Sequence, residues 1–165
     1  MDRERFEKQK DFILEADKEK NVFRQTHLTN HGRNENDAEH AWHMALMTYL
    51  LSEYSDEKID VGRTMIMCLI HDIVEIDAGD TYAYDEEGKK TQEDREEKAA
   101  DRIFSLLLED QAKDLRAIFE EFQERKTPEA RFARAMDNLQ PLLLNDSNGG
   151  SDWTDRKSTR LNSSH

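Results

Sequence analysis

The sequence has few of the residues that interrupt helices. It contains six glycines and two prolines among 165 residues, while Glu, Lys, Arg, Leu, Ala and Met are abundant. That composition favours helices and lacks the markers of strands and tight turns. A chain of this length can bury about two-thirds of the surface that it exposes when unfolded. We therefore expect one all-α domain.

Cysteine and long apolar runs are equally scarce. The single cysteine, Cys68, lies in the apolar run 65–70, so an intrachain disulfide framework is excluded and burial in the core is expected. The first twenty residues lack the apolar region of a signal peptide, and no stretch approaches the roughly eighteen apolar residues of a membrane span. These absences predict a cytoplasmic protein without a membrane partner.

The charge balance is strongly acidic, with a formal net charge of -13. Such a surface opposes attraction to the phosphates of DNA or RNA, so we expect no polymeric nucleic acid as a partner. A small anionic substrate is still compatible, because a bound metal ion and a nearby cation can dominate the field inside a pocket.

The last eleven residues, 155–165, differ in character from the rest of the chain. They show no helical periodicity and match, codon for codon, the translation of a common sequencing-adapter oligonucleotide. We expect them to be an artefactual, non-native tail. The genuine domain would then span residues 1–154 and lack its natural C-terminus.

Apolar periodicity predicts a bundle of about six helices. Their expected positions are 2–20, 37–54, 60–76, from 91 to about 108, around 115–122, and 128–143, with long loops at 21–36 and 82–90. Asp37, Asp60 and Thr127 are the expected N-caps of the second, third and sixth helices. Pro141 should kink or shorten the end of the last one.

The most informative feature is His71-Asp72, which the pattern places inside the apolar third helix. An ionised carboxylate costs several kcal/mol there unless a metal or a cation compensates it. The nearest basic residue on that helix, Arg63, is more than two turns away. A metal ion answers the need, since imidazole and carboxylate ligands together suit Mn, Fe, Co, Ni or Zn.

Neighbouring residues strengthen this interpretation. His40 lies on an otherwise apolar stripe of the second helix, and Asp137 lies between Met136 and Leu139 on the last one. Glu75 is one turn beyond the His71-Asp72 pair. Polar residues at apolar positions of three helices point to one buried polar site.

These residues lie in short sequence motifs that resemble those of a known family. The motifs are Glu35-Asn36-Asp37-Ala38-Glu39-His40-Ala41-Trp42-His43, His71-Asp72-Ile73-Val74-Glu75, Gly79-Asp80-Thr81 and Ala135-Met136-Asp137. Their order is similar to that of the HD-domain phosphohydrolases, and in particular to the 5′-deoxynucleotidase branch. The similarity covers roughly residues 24–153.

The resemblance implies an activity and a set of roles. One divalent metal ion, of unknown identity among Mn, Co, Fe, Ni and Zn, would be held by His40, His71, Asp72 and Asp137. Arg24 would meet the substrate phosphate, and Glu75 and Asp80 would act near the scissile bond. The implied reaction hydrolyses a small nucleotide, a deoxyribonucleoside 5′-monophosphate, to the deoxyribonucleoside and phosphate. The resemblance also implies a homodimer.

Other interpretations stay open. A dinuclear iron oxygenase would need further histidines after the His71-Asp72 pair, and none occurs between Asp72 and Asp155. A different HD-domain nucleotide phosphohydrolase or phosphodiesterase, or a catalytically silent, metal-stabilised interaction module, would use the same ligands. His43 is a rival ligand on the helix of His40.

Three further polar residues have an ordinary structural interpretation as an alternative to a role at the site. Glu39 would either support a ligand through a hydrogen bond or lie at the surface. His27 and His31 are expected to be solvated loop residues near the pocket.

Overall fold

The computed structural model describes residues 2–79 and 86–152, with side chains from residue 91 onward in the second range. The elements are α1 (Arg3–Ala16), a 3-10 turn (Asp17–Asn21), β1 (Phe23–His27), β2 (Asn34–Asn36), α2 (Asp37–Leu51), a 3-10 turn (Ser52–Tyr54), α3 (Val61–Ile70), α4 (Glu75–Ala78), α5 (Glu86–Phe104), α6 (Glu109–Glu124) and α7 (Pro128–Ser147). The fold is mainly helical, as predicted.

Helices α2, α3 and α7 pack against one another and form the centre of the domain. Each contributes a buried methionine to the core, namely Met44, Met67 and Met136. Cys68 is buried as expected, with its Sγ 3.3 Å from the hydroxyl of Thr48. Helix α6 packs on α3 and α7. The metal-ligand candidates His40 and Asp137 therefore lie on central helices.

The helix starts agree with the predicted caps in two of three cases. Asp60 caps α3 and Thr127 caps α7, each through its side chain. The predicted cap of α2 is wrong by one residue, because the side chain of Asn36 accepts a hydrogen bond from the backbone N of Glu39 at 2.9 Å. In return, the carboxylate of Glu39 accepts one from the backbone N of Asn36 at 3.1 Å. This reciprocal capping box leaves Asp37 as a fully buried first residue of α2.

The predicted third helix is interrupted at the site. Helix α3 ends at Ile70, and hydrogen bonds between residues three apart follow, such as Glu75 N to Asp72 O at 2.9 Å. The β-branched Ile73 and Val74 lie in this tighter turn, where they are buried. His71 and Asp72 therefore lie in the turn after α3, and the prediction that they stand inside a continuous helix is wrong.

The region predicted as a loop at 21–36 contains an antiparallel hairpin instead. Its register pairs Phe23 with Asn36 and His27 with Asn34, with an irregularity between them. The strands are mostly polar, so apolar alternation could not reveal them. Backbone pairing and side-chain bonds hold them, including Asn34 Nδ2 to the carbonyl of Arg24 at 2.9 Å.

Two further predicted boundaries differ from the structure. Helix α5 begins at Glu86, inside the predicted loop 82–90, because Glu- and Lys-rich segments are good helix formers. Helix α7 continues past Pro141 to Ser147, so the expected shortening is wrong. No helix in the described part of the chain is long and apolar enough to cross a membrane. The predicted tail, 155–165, lies outside the described residues.

Candidate metal centre

His40 is fully buried on the first turn of α2, and both of its ring nitrogens have partners. Nδ1 lies 2.9 Å from the amide oxygen of Gln140, and Nε2 lies 3.1 Å from Oδ1 of Asp137. An amide oxygen only accepts, so Nδ1 carries the hydrogen and donates it. In the neutral ring, Nε2 then presents a lone pair towards a carboxylate.

His71 is oriented in the same way. Its Nδ1 donates to the backbone carbonyl of Cys68 at 2.8 Å, which leaves Nε2 as the other ring atom. Nε2 is buried and has no hydrogen-bond partner among the described residues, although it lies 2.9 Å from Oδ2 of Asp72 and 3.8 Å from Oδ1 of Asp137. A cation between Nε2 and these carboxylate oxygens, either a ring proton or a metal ion, would satisfy all three groups.

These contacts provide a test of whether a divalent ion fits. One ligand atom from each of His40, His71 and Asp72 lies within 4.8 Å of the other two, and Asp137 contacts both histidines. Metal-bound histidines usually donate their second ring nitrogen to a carbonyl, carboxylate or water, as both rings do here to oxygen acceptors. The four predicted ligands therefore fit a divalent ion, and His/Asp sets of this kind suit the metals expected from the sequence.

The electrostatics of the centre favour positive charge at this point. Burial opposes protonation of His40, but hydrogen bonds with Asp137 and Glu35 raise the pKa of its imidazole to about 9. Burial would raise the pKa of Asp72, yet His71 and Arg24 hold it well below its ordinary value. Asp72 is therefore ionised, as a metal ligand must be.

Arg24 reaches the centre from β1. Its Nη1 donates to Asp72 at 2.8 Å and to Asp37 at 3.3 Å. Burial alone would lower the pKa of Arg24, but the carboxylates of Asp72, Asp37 and Glu75 raise it above its ordinary value. The predicted phosphate-binding residue thus lies against a predicted metal ligand and stays charged.

Further carboxyl groups lie at the centre besides those of the ligand candidates Asp72 and Asp137. Burial, followed by the charge of Asp72, raises the pKa of Asp37 to about 6, although Arg24 and Glu75 act to lower it. Burial, followed by the charges of Asp72 and Asp37, raises the pKa of Glu19 to about 8.

The sequence did not point to Gln140 and Glu35, although both are buried and support His40. Gln140 accepts from His40 and donates to Glu35 and to Nδ1 of His43, the latter at 3.1 Å. A polar residue one turn after Asp137 was a usable signal for Gln140. Asp37 was predicted only as a cap and instead faces Arg24.

The structure locates three of the remaining candidate residues relative to the centre. His43 contacts Gln140, which in turn bonds to His40, but it does not belong to the cluster of ligand atoms from His40, His71 and Asp72. Glu39 completes the helix cap and pairs with Arg33, so the surface alternative is correct. Glu75 begins α4 beside the ligands, whereas Asp80 lies outside the described residues.

Comparisons with known proteins indicate the family of the chain. The HD domain family profile matches residues 16–165. The 5′-deoxynucleotidase HDDC2 of Homo sapiens is 31% identical over 111 residues, which are 67% of this chain and 53% of that protein. The 5′-deoxynucleotidase hdd1 of Schizosaccharomyces pombe is 27% identical, over 66% of this chain and 55% of that protein. The chain spans about half the length of the curated relatives that it matches.

Two solved structures are similar to this chain in fold. The crystal structure of a predicted metal-dependent phosphohydrolase from Magnetospirillum magnetotacticum MS-1 is 51% identical and superposes with a TM-score of 0.87, covering 93% of this chain and 76% of that one. A conserved hypothetical protein from Pyrococcus furiosus is 27% identical with a TM-score of 0.57, covering 78% and 77%. Since the family profile begins at residue 16 and spans the whole histidine–aspartate centre, the chain belongs to the HD domain family.

Proposed function

We propose that the protein is a cytoplasmic, metal-dependent phosphomonoesterase that hydrolyses deoxyribonucleoside 5′-monophosphates to deoxyribonucleosides and phosphate. The observation that carries this proposal is the convergence of His40 and His71 on the carboxylates of Asp72 and Asp137, with Arg24 2.8 Å from Asp72. The relatives named 5′-deoxynucleotidase support the substrate class.

His40, His71, Asp72 and Asp137 would hold the divalent ion. When bound, such an ion supplies a water of lowered pKa and a Lewis acid for a phosphoryl oxygen. The chain's own task is to keep these four side chains aligned, and the second ring nitrogens of both histidines are fixed for that purpose.

Arg24 would bind the phosphate of the substrate. Its guanidinium lies beside Asp72, so a phosphoryl group placed next to the ligand set lies within its reach. Arg24 would stabilise the negative charge that develops on the oxygens not contacted by the ion. Its persistent positive charge suits this role in an otherwise acidic cluster.

Glu75 and Asp80 would manage the protons. One of them would orient the attacking water, and the other would protonate the leaving 5′-oxygen. Asp37 interacts with Glu75, and its pKa of about 6 supports a proton carrier at this position. Glu75 is the proposed donor, with Asp80 as its proposed partner.

A phosphate-release screen tests the substrate. The full chain, supplied with Mn²⁺ or Co²⁺, is incubated with deoxyribonucleoside and ribonucleoside 5′-monophosphates, a deoxynucleoside triphosphate and a cyclic dinucleotide. We expect phosphate from the deoxyribonucleoside monophosphates and much less from the others. Turnover of the triphosphate or the cyclic dinucleotide alone would favour another HD-domain phosphohydrolase. Absence of turnover with metal bound would favour an interaction module.

A further inference from the structure

The tip of the hairpin meets the end of α7 at a second cluster of metal-ligating side chains. One ligand atom from each of His27, His31 and Asp152 lies within 4.8 Å of the other two. His27 is the last residue of β1, His31 lies in the turn before β2, and Asp152 follows α7. These residues share no member with the ligand set on α2, α7 and the turn after α3.

Asp152 is held against the hairpin by defined contacts. Its Oδ1 lies 2.7 Å from Nδ1 of His27, and its Oδ2 accepts from the backbone N of His27 at 3.2 Å. The backbone N of Asp152 donates to the side chain of Asn145 at 3.1 Å. The carboxylate therefore has a fixed position next to the imidazole.

His31 completes the cluster from an unusual backbone conformation. Its φ of 53° lies in the left-handed region, which non-glycine residues seldom adopt. Its ring centroid lies 4.6 Å from that of His27, and its Nδ1 lies 3.3 Å from the hydroxyl of Ser151. The hydrogen bonds between His27 and Asp152 form without His31, whereas a bound cation would use the imidazole of His31 as a third ligand.

We propose that His27, His31 and Asp152 hold a divalent transition-metal ion of the zinc type, which fastens the tip of the hairpin to the end of α7. Two imidazoles and one carboxylate suit Zn²⁺, with water in the remaining position. Ligand atoms around tetrahedral zinc lie about 3.3 Å apart, given bonds of about 2.0–2.1 Å, so small side-chain shifts would close the cluster. His31 is exposed, and an ion can therefore enter from solvent.

The position of this ion has a consequence for the metal centre. Strand β1 also carries Arg24, and α7 also carries Asp137. An ion between the hairpin tip and the end of α7 would restrain both elements that flank the centre. The second site would thus stabilise the arrangement without touching the substrate.

Zinc binding by the full chain tests the proposal. Equilibrium dialysis against Zn²⁺ followed by metal analysis gives the number of ions per chain for wild type, His31→Asn and Asp152→Asn. Asn tolerates the left-handed conformation, so His31→Asn removes the ligand and keeps the turn. Asp146→Asn is the matched control, because Asp146 is exposed and the charge change is the same. We expect one equivalent less in both cluster variants and no loss in the control.

Thermal unfolding gives an independent readout. An ion that binds only the folded state raises Tm, so zinc should raise the Tm of wild type more than that of His31→Asn. His31→Asn and Asp152→Asn binding as much zinc as wild type would overturn the proposal. The result is separate from the fate of the first centre: if His71→Ala loses no zinc but His31→Asn does, the first assignment fails and this one stands.

Discussion

At the scale of single residues, the orientation of His40 depends on one buried amide. Gln140 is fully buried, and its oxygen is the acceptor for Nδ1 of His40. Replacing it by leucine removes that acceptor and frees the ring. We expect Gln140→Leu to weaken metal binding by about 10- to 100-fold, as measured by competition with a chromophoric chelator. Gln123→Leu, an exposed change on α6, should leave the affinity as in wild type.

Glu19 gives the fold a pH dependence that can be measured without metal. Its pKa is about 8 in the folded protein, above the ordinary value of 4.5. The folded state keeps this proton when the unfolded state has lost it, so stability falls as pH rises from about 5 to 8. Glu19→Gln removes the effect, and its stability gain over wild type should grow by at most about 1.4 kcal/mol per pH unit.

Urea denaturation in EDTA at pH 5 to 8.5 measures the stability gain of Glu19→Gln. Glu93→Gln, an exposed change on α5, is the control and should give a constant difference. A gain for Glu19→Gln that stays constant over this range would contradict the assignment of the buried proton to Glu19.

The residues that could be predicted were those that break an apolar pattern. His40, His71, Asp72 and Asp137 stand out because burying an ionisable group is costly without a partner. Arg24 was predicted only through the family resemblance, since a single arginine in a polar stretch carries no such signal. Gln140 was not predicted because a neutral amide at a buried position is less conspicuous than a charge.

At the scale of elements, the start of α7 depends on Thr127. Its hydroxyl accepts from the backbone N of Ala130 and donates to Glu121 at 2.6 Å. Thr127→Ala removes both bonds, and the loss of an N-cap costs about 1 kcal/mol. We expect a lower Tm by thermal unfolding, while Thr29→Ala in the exposed hairpin turn should change it little. Equal Tm values for the two variants would show that this cap does not stabilise the folded protein.

The same scale shows where prediction from sequence stops. Caps and apolar stripes are local, and they gave Thr127, Asp60 and most helix centres correctly. The hairpin at 23–36 depends on backbone bonds and on contacts with α7, which no local pattern records. The break after Ile70 also escapes periodicity, because the buried Ile73 and Val74 continue the apolar pattern of the helix before it.

At the scale of the whole molecule, the structure indicates which surface would form the expected homodimer. The apolar residues of α6, such as Phe119 and Phe122, are used in the core. A different apolar stripe is exposed along one face of α2, formed by Trp42, Leu46, Tyr49 and Leu50. Exposed apolar patches are uncommon on monomers. We therefore expect a homodimer that buries this stripe.

Light scattering coupled to size-exclusion chromatography measures the association. Leu46→Lys should shift the protein towards the monomer, whereas Ile13→Lys, on the exposed side of α1, should not. A wild-type monomer at every concentration tested would contradict the expectation.

The central claim is that one buried histidine–aspartate centre binds a metal and uses it to release phosphate. Metal content and phosphate release from a deoxyribonucleoside 5′-monophosphate, measured on the same samples of wild type, Asp137→Asn and Glu75→Gln, test it most directly. We expect Asp137→Asn to lose one ion and the activity, and Glu75→Gln to keep the ion while activity falls by about 10²- to 10⁴-fold. Full metal content in Asp137→Asn, or unchanged phosphate release in Glu75→Gln, would contradict the account.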